Sequence, residues 1–180
     1  MSQDNLSFIS FPKPSELLKD YPKRENNSLE IGRYTKNQLN LTNLEALINS
    51  SFGGRLLNNY FSNLTEDADF YMPSSGNYEA VGIVVETFNK ISYMDKLAVS
   101  PYSSNQGLGD SLLNVIIGDN PSGLFWRANI QNKELIEWYA SKADRIKKVG
   151  NWAVFFKKIQ DRIEEQCLNY AKDLKPSIIY

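Results

Sequence analysis

Ser104-Asn-Gln-Gly-Leu-Gly109 sets two glycines one residue apart, directly ahead of an apolar stripe at helical spacing, Leu112, Leu113, Ile116 and Ile117. A strand, a Gly-containing loop and a helix in succession gather free backbone N–H groups at the positive end of a helix dipole, a recipe for holding phosphates. Gly-x-Gly also serves ordinary tight turns, so the motif alone leaves both readings open. The residue types available around it limit the chemistry. The chain has no His and a single Cys, so it builds by itself no Ser-His-Asp triad, Cys-His dyad, His-ligated metal, internal disulfide or Cys-rich zinc site. Catalysis has to use Tyr, Lys, Arg, carboxylates, hydroxyls or the backbone. Cys167 sits at core-like spacing in a late helix and reads as a small buried hydrophobe.

The elements that would position such groups change character along the 180 residues, a length that suits one domain. Pro12, Pro14, Pro22 and the polar run Glu25-Asn-Asn-Ser28 make residues 1–30 an extended arm or linker, and the domain is expected over 31–180. Thr42 is a plausible N-cap for a helix through Leu44, Leu47, Ile48 and Phe52, and a second short helix is expected from Arg55 to Phe61. Residues 68–72, 79–88 and 91–99 are rich in Val, Ile, Tyr and Phe, and the turn Asn89-Lys90 joins the last two as an antiparallel hairpin. Asp119-Asn-Pro-Ser-Gly123 stops the helix that follows the glycine loop. Leu124-Phe-Trp-Arg127 reads as a buried strand with Arg127 at its C-terminal end. Asn132 reads as the N-cap of a helix with Leu135, Ile136, Tyr139 and Ala140. Strands near 146–149 and 152–156 and an amphipathic helix through Ile159, Ile163, Cys167, Tyr170 and Ala171 complete the chain.

Twenty Lys and Arg against 21 Asp and Glu leave a net charge of −1. No global basic field favours nucleic acid, no apolar run is long enough to span a membrane, and residues 1–13 show neither a secretory nor a transit signal.

A hairpin, the loop 104–109, a helix, a Phe-Trp-Arg strand and another helix follow the order of the GNAT superfamily of acyl-CoA N-acyltransferases, which the chain resembles. Both glycines of that superfamily's Gln/Arg-x-x-Gly-x-Gly/Ala loop fall on Gly107 and Gly109, while Ser104 occupies the leading Gln/Arg position. A narrower resemblance rests on Leu47-Ile-Asn-Ser-Ser-Phe52, Tyr93-Met-Asp-Lys-Leu-Ala-Val99, Gly107-Leu-Gly109, Leu124-Phe-Trp-Arg127, Asn132 and Trp138-Tyr139. Together they look like the acetyltransferase domain of fungal and animal N-acetylglutamate synthases, which is also fused to some N-acetylglutamate kinases, over about residues 31–173. The family's usual Asp-Lys-Phe reads Asp95-Lys96-Leu97 here.

The resemblance implies an α/β (α+β) GNAT fold, a mixed, largely antiparallel sheet flanked by helices. It implies transfer of the acetyl group of acetyl-CoA to the α-amine of L-glutamate by direct attack in a ternary complex, the entry step to arginine biosynthesis, with no metal. Tyr139 would protonate the departing thiolate, although its spacing alone places it on a core-facing helix stripe. Arg127 would grip a carboxylate of the substrate, against the commoner fate of a strand-end Arg in a surface ion pair. Lys96 would hold a carboxylate or, as an exposed strand Lys, pair with Asp95. Asn129, where relatives often carry a second Arg, and Asn132, equally a helix N-cap, are amide donors to glutamate, and Arg55 is a further basic candidate. Backbone at Leu97, Ala98 and Val99 would meet the acyl group, and Ser104, Asn105, Gln106, Gly107, Leu108 and Gly109 the phosphates. The base that deprotonates the amine stays open.

By the same resemblance, the arm would be the linker to an amino-acid-kinase domain, with other arginine-pathway subunits as further partners and a homo-oligomer open, in the mitochondrial matrix. The alternative is a regulatory or assembly domain on an N-acetylglutamate kinase polypeptide with little catalysis. A third reading, acetylation of a peptide or other amine, would need an open groove.

Overall fold

The computed structural model describes residues 30–104 and 106–180. All but the last residue of the arm, and Asn105 of the loop, therefore lie outside the described residues.

Seven strands make one mixed sheet, in the spatial order β1 (Ile31–Tyr34), β3 (Asp69–Pro73), β4 (Ala80–Glu86), β5 (Ser92–Val99), β6 (Leu124–Asn129), β8 (Trp152–Lys157) and β7 (Arg145–Val149). Every neighbouring pair is antiparallel except β5 and β6, which run parallel. A parallel pair needs a crossover, and helix α3 (Leu108–Asp119) supplies it. The other helices are α1 (Leu41–Phe52), α2 (Tyr60–Asn63), α4 (Lys133–Ala140) and α5 (Asp161–Asp173). A separate two-stranded pair joins β2 (Arg55–Leu56) to β9 (Ile178–Ile179).

The sheet is covered on both faces, which is why Ala80–Val85 is an unbroken apolar run, buried throughout. One face packs Val81, Ile83, Tyr93, Phe125 and Phe156 against Leu44, Leu47 and Ile48 of α1 and Cys167 and Ala171 of α5. The other packs Ala80, Val84, Met94, Trp126 and Phe155 against Leu112, Leu113 and Ile116 of α3 and Tyr139 of α4. Gly82 has no room for a side chain, since a Cβ there would lie 2.4 Å from Ile116 Cδ1. Its absence lets α3 lie close on the central strand.

Local signals explain most boundaries. Asn40 caps α1 by accepting from Asn43 N–H, and Gly53, at φ 65°, ends it. Asn89 and Lys90, at φ 54° and 62°, form the tight turn of the β4–β5 hairpin. The helix expected over 55–61 is not formed as read. Arg55 and Leu56 pair with Ile179 and Ile178, and only Tyr60–Asn63 is helical. The spacing of Leu56, Leu57, Tyr60 and Phe61 fits a helix, but a partner strand some 120 residues away takes the backbone. The edge strand β1 carries no clear periodic signal, being only four residues long with Gly32 inside it.

Candidate functional site

The parallel pairing of β5 with β6 lasts three positions, Ser92–Leu124, Tyr93–Phe125 and Met94–Trp126. On its other side β5 carries a bulge, because Val84 pairs with Met94 and Ile83 with Lys96, leaving Asp95 without a partner on β4. A bulge bends its strand and sharpens the local twist. Beyond it β5 follows β4, while β6 follows β8 as far as the Asn129–Trp152 pair. The fork between them is a cleft of about 560 Å³, walled by Asp95, Lys96 and Leu97, by Arg127 and Asn129, and by Asn132 and Tyr139 of α4.

Parting leaves backbone groups free. Ser100 N–H donates to Glu79 O on the β4 side at 2.7 Å, and Val99 N–H, facing the opposite edge, donates to Ser51 Oγ at 3.1 Å. Strand alternation turns Leu97 N–H to the same edge as Val99 N–H, where β6 no longer pairs. Of the three backbone positions expected at the acyl group, Leu97 thus lines the cleft with a donor that no described residue engages, Ala98 faces β4, and Val99 N–H is engaged by Ser51.

One wall is charged. Asp95 Oδ2 accepts both Tyr60 Oη–H and Lys96 Nζ–H at 2.6 Å, and Oδ1 accepts from no described residue. The Lys96 ammonium also lies over the Tyr60 ring, 4.9 Å from its centroid. Burial, reinforced by the Asp95 charge and hydrogen bond, pushes the Tyr60 phenol well up, so it remains a donor. Lys96 is paired with Asp95 as one reading expected, but it is buried, at 7% exposure, rather than on an exposed strand face. Across the fork, Arg127 Nη1 donates to Ala171 O in the last turn of α5, and its guanidinium lies over Trp152 at 4.1 Å from the centroid. Asn129 Oδ1 accepts from Gln131 N–H at 3.0 Å, and Asn132 Oδ1 caps α4 through Leu135 N–H at 3.2 Å. Among the described residues, neither amide N–H group has a partner, and both residues line the cleft. Arg55 is not brought there; it is exposed on β2, outside the residues that line the cleft.

The opposite face carries Tyr139, ringed by Trp126, Trp138 and Phe155 at centroid distances of 5.6, 4.9 and 5.2 Å. Burial alone pushes its phenol upward, so the proton stays on oxygen at neutral pH, and the hydroxyl makes no hydrogen bond to another described residue. The glycine loop stands beside this wall rather than in the cleft. Gly107, at φ 71°, caps α3 without a side chain, and Ser111 N–H is the first to bond back, to Gly107 O. The N–H groups of Leu108, Gly109 and Asp110 therefore point forward from the helix. A Cβ on Gly109 would lie 3.6 Å from Trp138 and 3.7 Å from Val99, which places the loop next to the neighbour of Tyr139. Ser104 Oγ donates to Pro101 O, and Asp110 pairs with Lys142 at 2.5 Å.

Cys167 is fully buried and its thiol is pushed up to about 12, so it offers no nucleophile. Sequence reasoning assigned no role to Asp95, Tyr60, Trp152 or the tail residues Pro176, Ser177, Ile178 and Tyr180, all but Tyr60 of which line the cleft. Asp95 lay inside a motif already singled out; the others come from elements distant in sequence.

Residues 30–173 match the family model described as NAT, N-acetyltransferase, of N-acetylglutamate synthase. The chain belongs to this family. An acetylglutamate kinase of Xanthomonas campestris pv. campestris is 29% identical over 185 residues, covering 96% of this chain and 42% of its own length. The mitochondrial N-acetylglutamate synthase of Danio rerio is 32% identical over 145 residues, covering 79% of this chain and 27% of its own length. This family member thus spans less than half the length of these curated relatives. Among solved structures, a GNAT family acetyltransferase from Elizabethkingia anophelis with acetyl-CoA bound superposes with a TM-score of 0.58 at 12% identity, over 72% of this chain and 97% of the other. That likeness establishes the GNAT fold, with its mixed seven-stranded sheet flanked by helices.

Proposed function

We propose that this domain transfers the acetyl group of acetyl-CoA to the α-amine of L-glutamate. The observation that carries the reading is the fork itself, which opens one continuous cleft between a charged wall at Lys96 and Arg127 and a protonated phenol at Tyr139. The fit to acetyl-CoA rests on this chain's own donors. The forward N–H groups of α3 and the left-handed Gly107 suit phosphates, Gly109 packs beside Val99 and Trp138, next to the Tyr139 wall, and Leu97 N–H, engaged by no described residue, suits an acyl oxygen. Acetyl-CoA would supply the thioester.

The residues divide the work. Arg127, with the amide groups of Asn129 and Asn132, meets one carboxylate of glutamate, and Lys96 meets the other from across the fork. Asp95 Oδ1 draws the ammonium and takes its proton, directly or through water, and the amine then attacks the thioester carbonyl. Leu97 N–H stabilises the charge that develops on oxygen, the C–S bond breaks as Tyr139 gives its proton to the leaving sulfur, and the new amide nitrogen sheds its second proton through water to the Tyr139 phenolate, which restores the phenol. A buried, protonated Cys167 supports direct attack without an acyl-enzyme.

Residues 1–30 would connect this domain to a kinase-like domain, as the greater length of the relatives suggests. The compartment follows the relative taken as guide, since the animal and fungal proteins are mitochondrial by name and the acetylglutamate kinases are bacterial. That the Xanthomonas kinase aligns with 96% of this chain favours a second reading, a regulatory or assembly domain on a kinase polypeptide. Incubating the full chain with acetyl-CoA and glutamate and detecting N-acetylglutamate by mass spectrometry separates the two; product formation supports transfer, and acetyl-CoA binding without product supports the second reading.

A further inference from the structure

The chain leaves α5 beside Arg127, whose guanidinium holds the Ala171 carbonyl, and then crosses to the other arm of the fork. There Leu57 N–H donates to Ser177 O at 3.0 Å, and Ile178 and Ile179 pair with Leu56 and Arg55. The landing strip is itself fixed, since Leu56 N–H donates to Asn49 Oδ1 of α1 at 2.6 Å. It also has a built-in socket. A Cβ on Gly54 would lie 2.6 Å from Ile178 Cγ2 and 2.8 Å from Ile179 O, so only glycine lets the tail come this near. Pro176, Ser177, Ile178 and Tyr180 line the cleft together with Arg127 and Trp152, and all lie past residue 173, where the family match ends.

From this geometry we infer that residues 176–180, seated on Gly54, are the specificity-determining wall of the acceptor end of the cleft. A strap that runs from α5 to β2 along the cleft narrows its acceptor end. A free amino acid fits behind it, whereas an acceptor whose α-carboxylate continues as a peptide would have to pass through the strap. The inference rests on the proposed acetyl transfer to glutamate and adds which segment rejects larger acceptors.

The test uses two acceptors, glutamate and the dipeptide Glu-Ala, and two variants of the full chain. Gly54→Val pushes Ile178 and Ile179 off their seat, and Ile178→Ala/Tyr180→Ala instead removes the wall's own side chains, including the two that meet Gly54, while the backbone pairing with β2 stays. Calorimetric binding is measured beside turnover, so that a domain that binds without reacting still reports. The wild-type chain should prefer glutamate over Glu-Ala by at least about 100-fold, and each variant should weaken glutamate by about 10-fold while narrowing that preference by a similar factor, with acetyl-CoA affinity within about twofold. An unchanged preference in both folded variants overturns the inference, as does a wild-type chain that takes both acceptors alike. Glutamate binding with the expected preference but no product overturns the proposed transfer and leaves the role of the wall standing.

Discussion

The Arg127 guanidinium lies 4.1 Å from the centroid of the Trp152 ring, its partner in the sheet two register positions away, and the same guanidinium caps the end of α5 through Ala171 O. The stack and the cap together hold the fork planar against one wall, so its remaining N–H groups face the cleft in a fixed direction. Arg127→Lys keeps the charge and loses the planar fork. It is expected to raise the KM for glutamate roughly 10-fold or more, as loss of a bidentate carboxylate contact would, with acetyl-CoA affinity unchanged. Trp152→Leu keeps an apolar side chain on the cleft wall and removes the stack, worth about 1 kcal/mol, and should raise the same KM about fivefold. Steady-state kinetics with each substrate varied in turn checks both.

Tyr139 is buried among three aromatic rings, yet its hydroxyl bonds to no described residue. Tyr139→Phe should therefore leave the fold and acetyl-CoA binding intact and lower kcat by about 100-fold or more, the range of a lost general acid. Thermal unfolding, calorimetry and kcat on the same preparation separate the three effects. An equal fall in stability would make Tyr139 a core residue only.

The two loop glycines should fail in different ways. At Gly107, φ is 71°, and an L side chain there costs about 1 kcal/mol of stability through strain. At Gly109 φ is ordinary for L residues, and the added Cβ meets Trp138 and Val99 only at normal contact distance. Gly109→Ala should leave the melting temperature unchanged and weaken acetyl-CoA binding measured by calorimetry, because the methyl group stands among the forward N–H groups proposed to hold the phosphates.

Glu164, buried at 5% exposure, accepts from Arg145 Nε at 2.7 Å and pairs with Lys147. The Lys147 hydrogen bond holds its carboxyl below the ordinary carboxylate value, against the opposing effect of burial. A carboxyl with a lowered pKa in the fold contributes stability above its unfolded value, and that contribution is lost as pH falls through the folded one. Glu164→Gln should cost about 1–2 kcal/mol at pH 7, the scale of a charged hydrogen bond whose cationic partners reach into water. The gap to the wild type should close on acidification below pH 4, as denaturant titrations at both pH values would show.

Periodicity and turn chemistry made the central elements legible. The Leu112, Leu113 and Ile116 stripe, the Asn132 cap and the Asn89-Lys90 turn are local signals, and each stands where the sequence placed it. Tyr139 on α4 was legible for the same reason, and so was the strand that carries Arg127, although β6 runs two residues past Arg127 to Asn129. The Asp95 bulge was not, since it is a mismatch between two strands and neither strand carries it alone. Tyr60 likewise meets Asp95 only because two elements 35 residues apart fold together. Arg55 shows the converse, a basic residue whose neighbours suggested a helix but whose backbone pairs with the C-terminal tail.

The most direct measurement of the central claim is N-acetylglutamate formation by the full chain, compared with Asp95→Asn and Tyr139→Phe, under saturating acetyl-CoA. The account predicts product from the wild type, a fall of about 100-fold in kcat for Tyr139→Phe, and a loss in Asp95→Asn that higher pH partly restores as the amine sheds its own proton. Acetyl-CoA binding with no product from the wild type, or full activity in both variants, would contradict it.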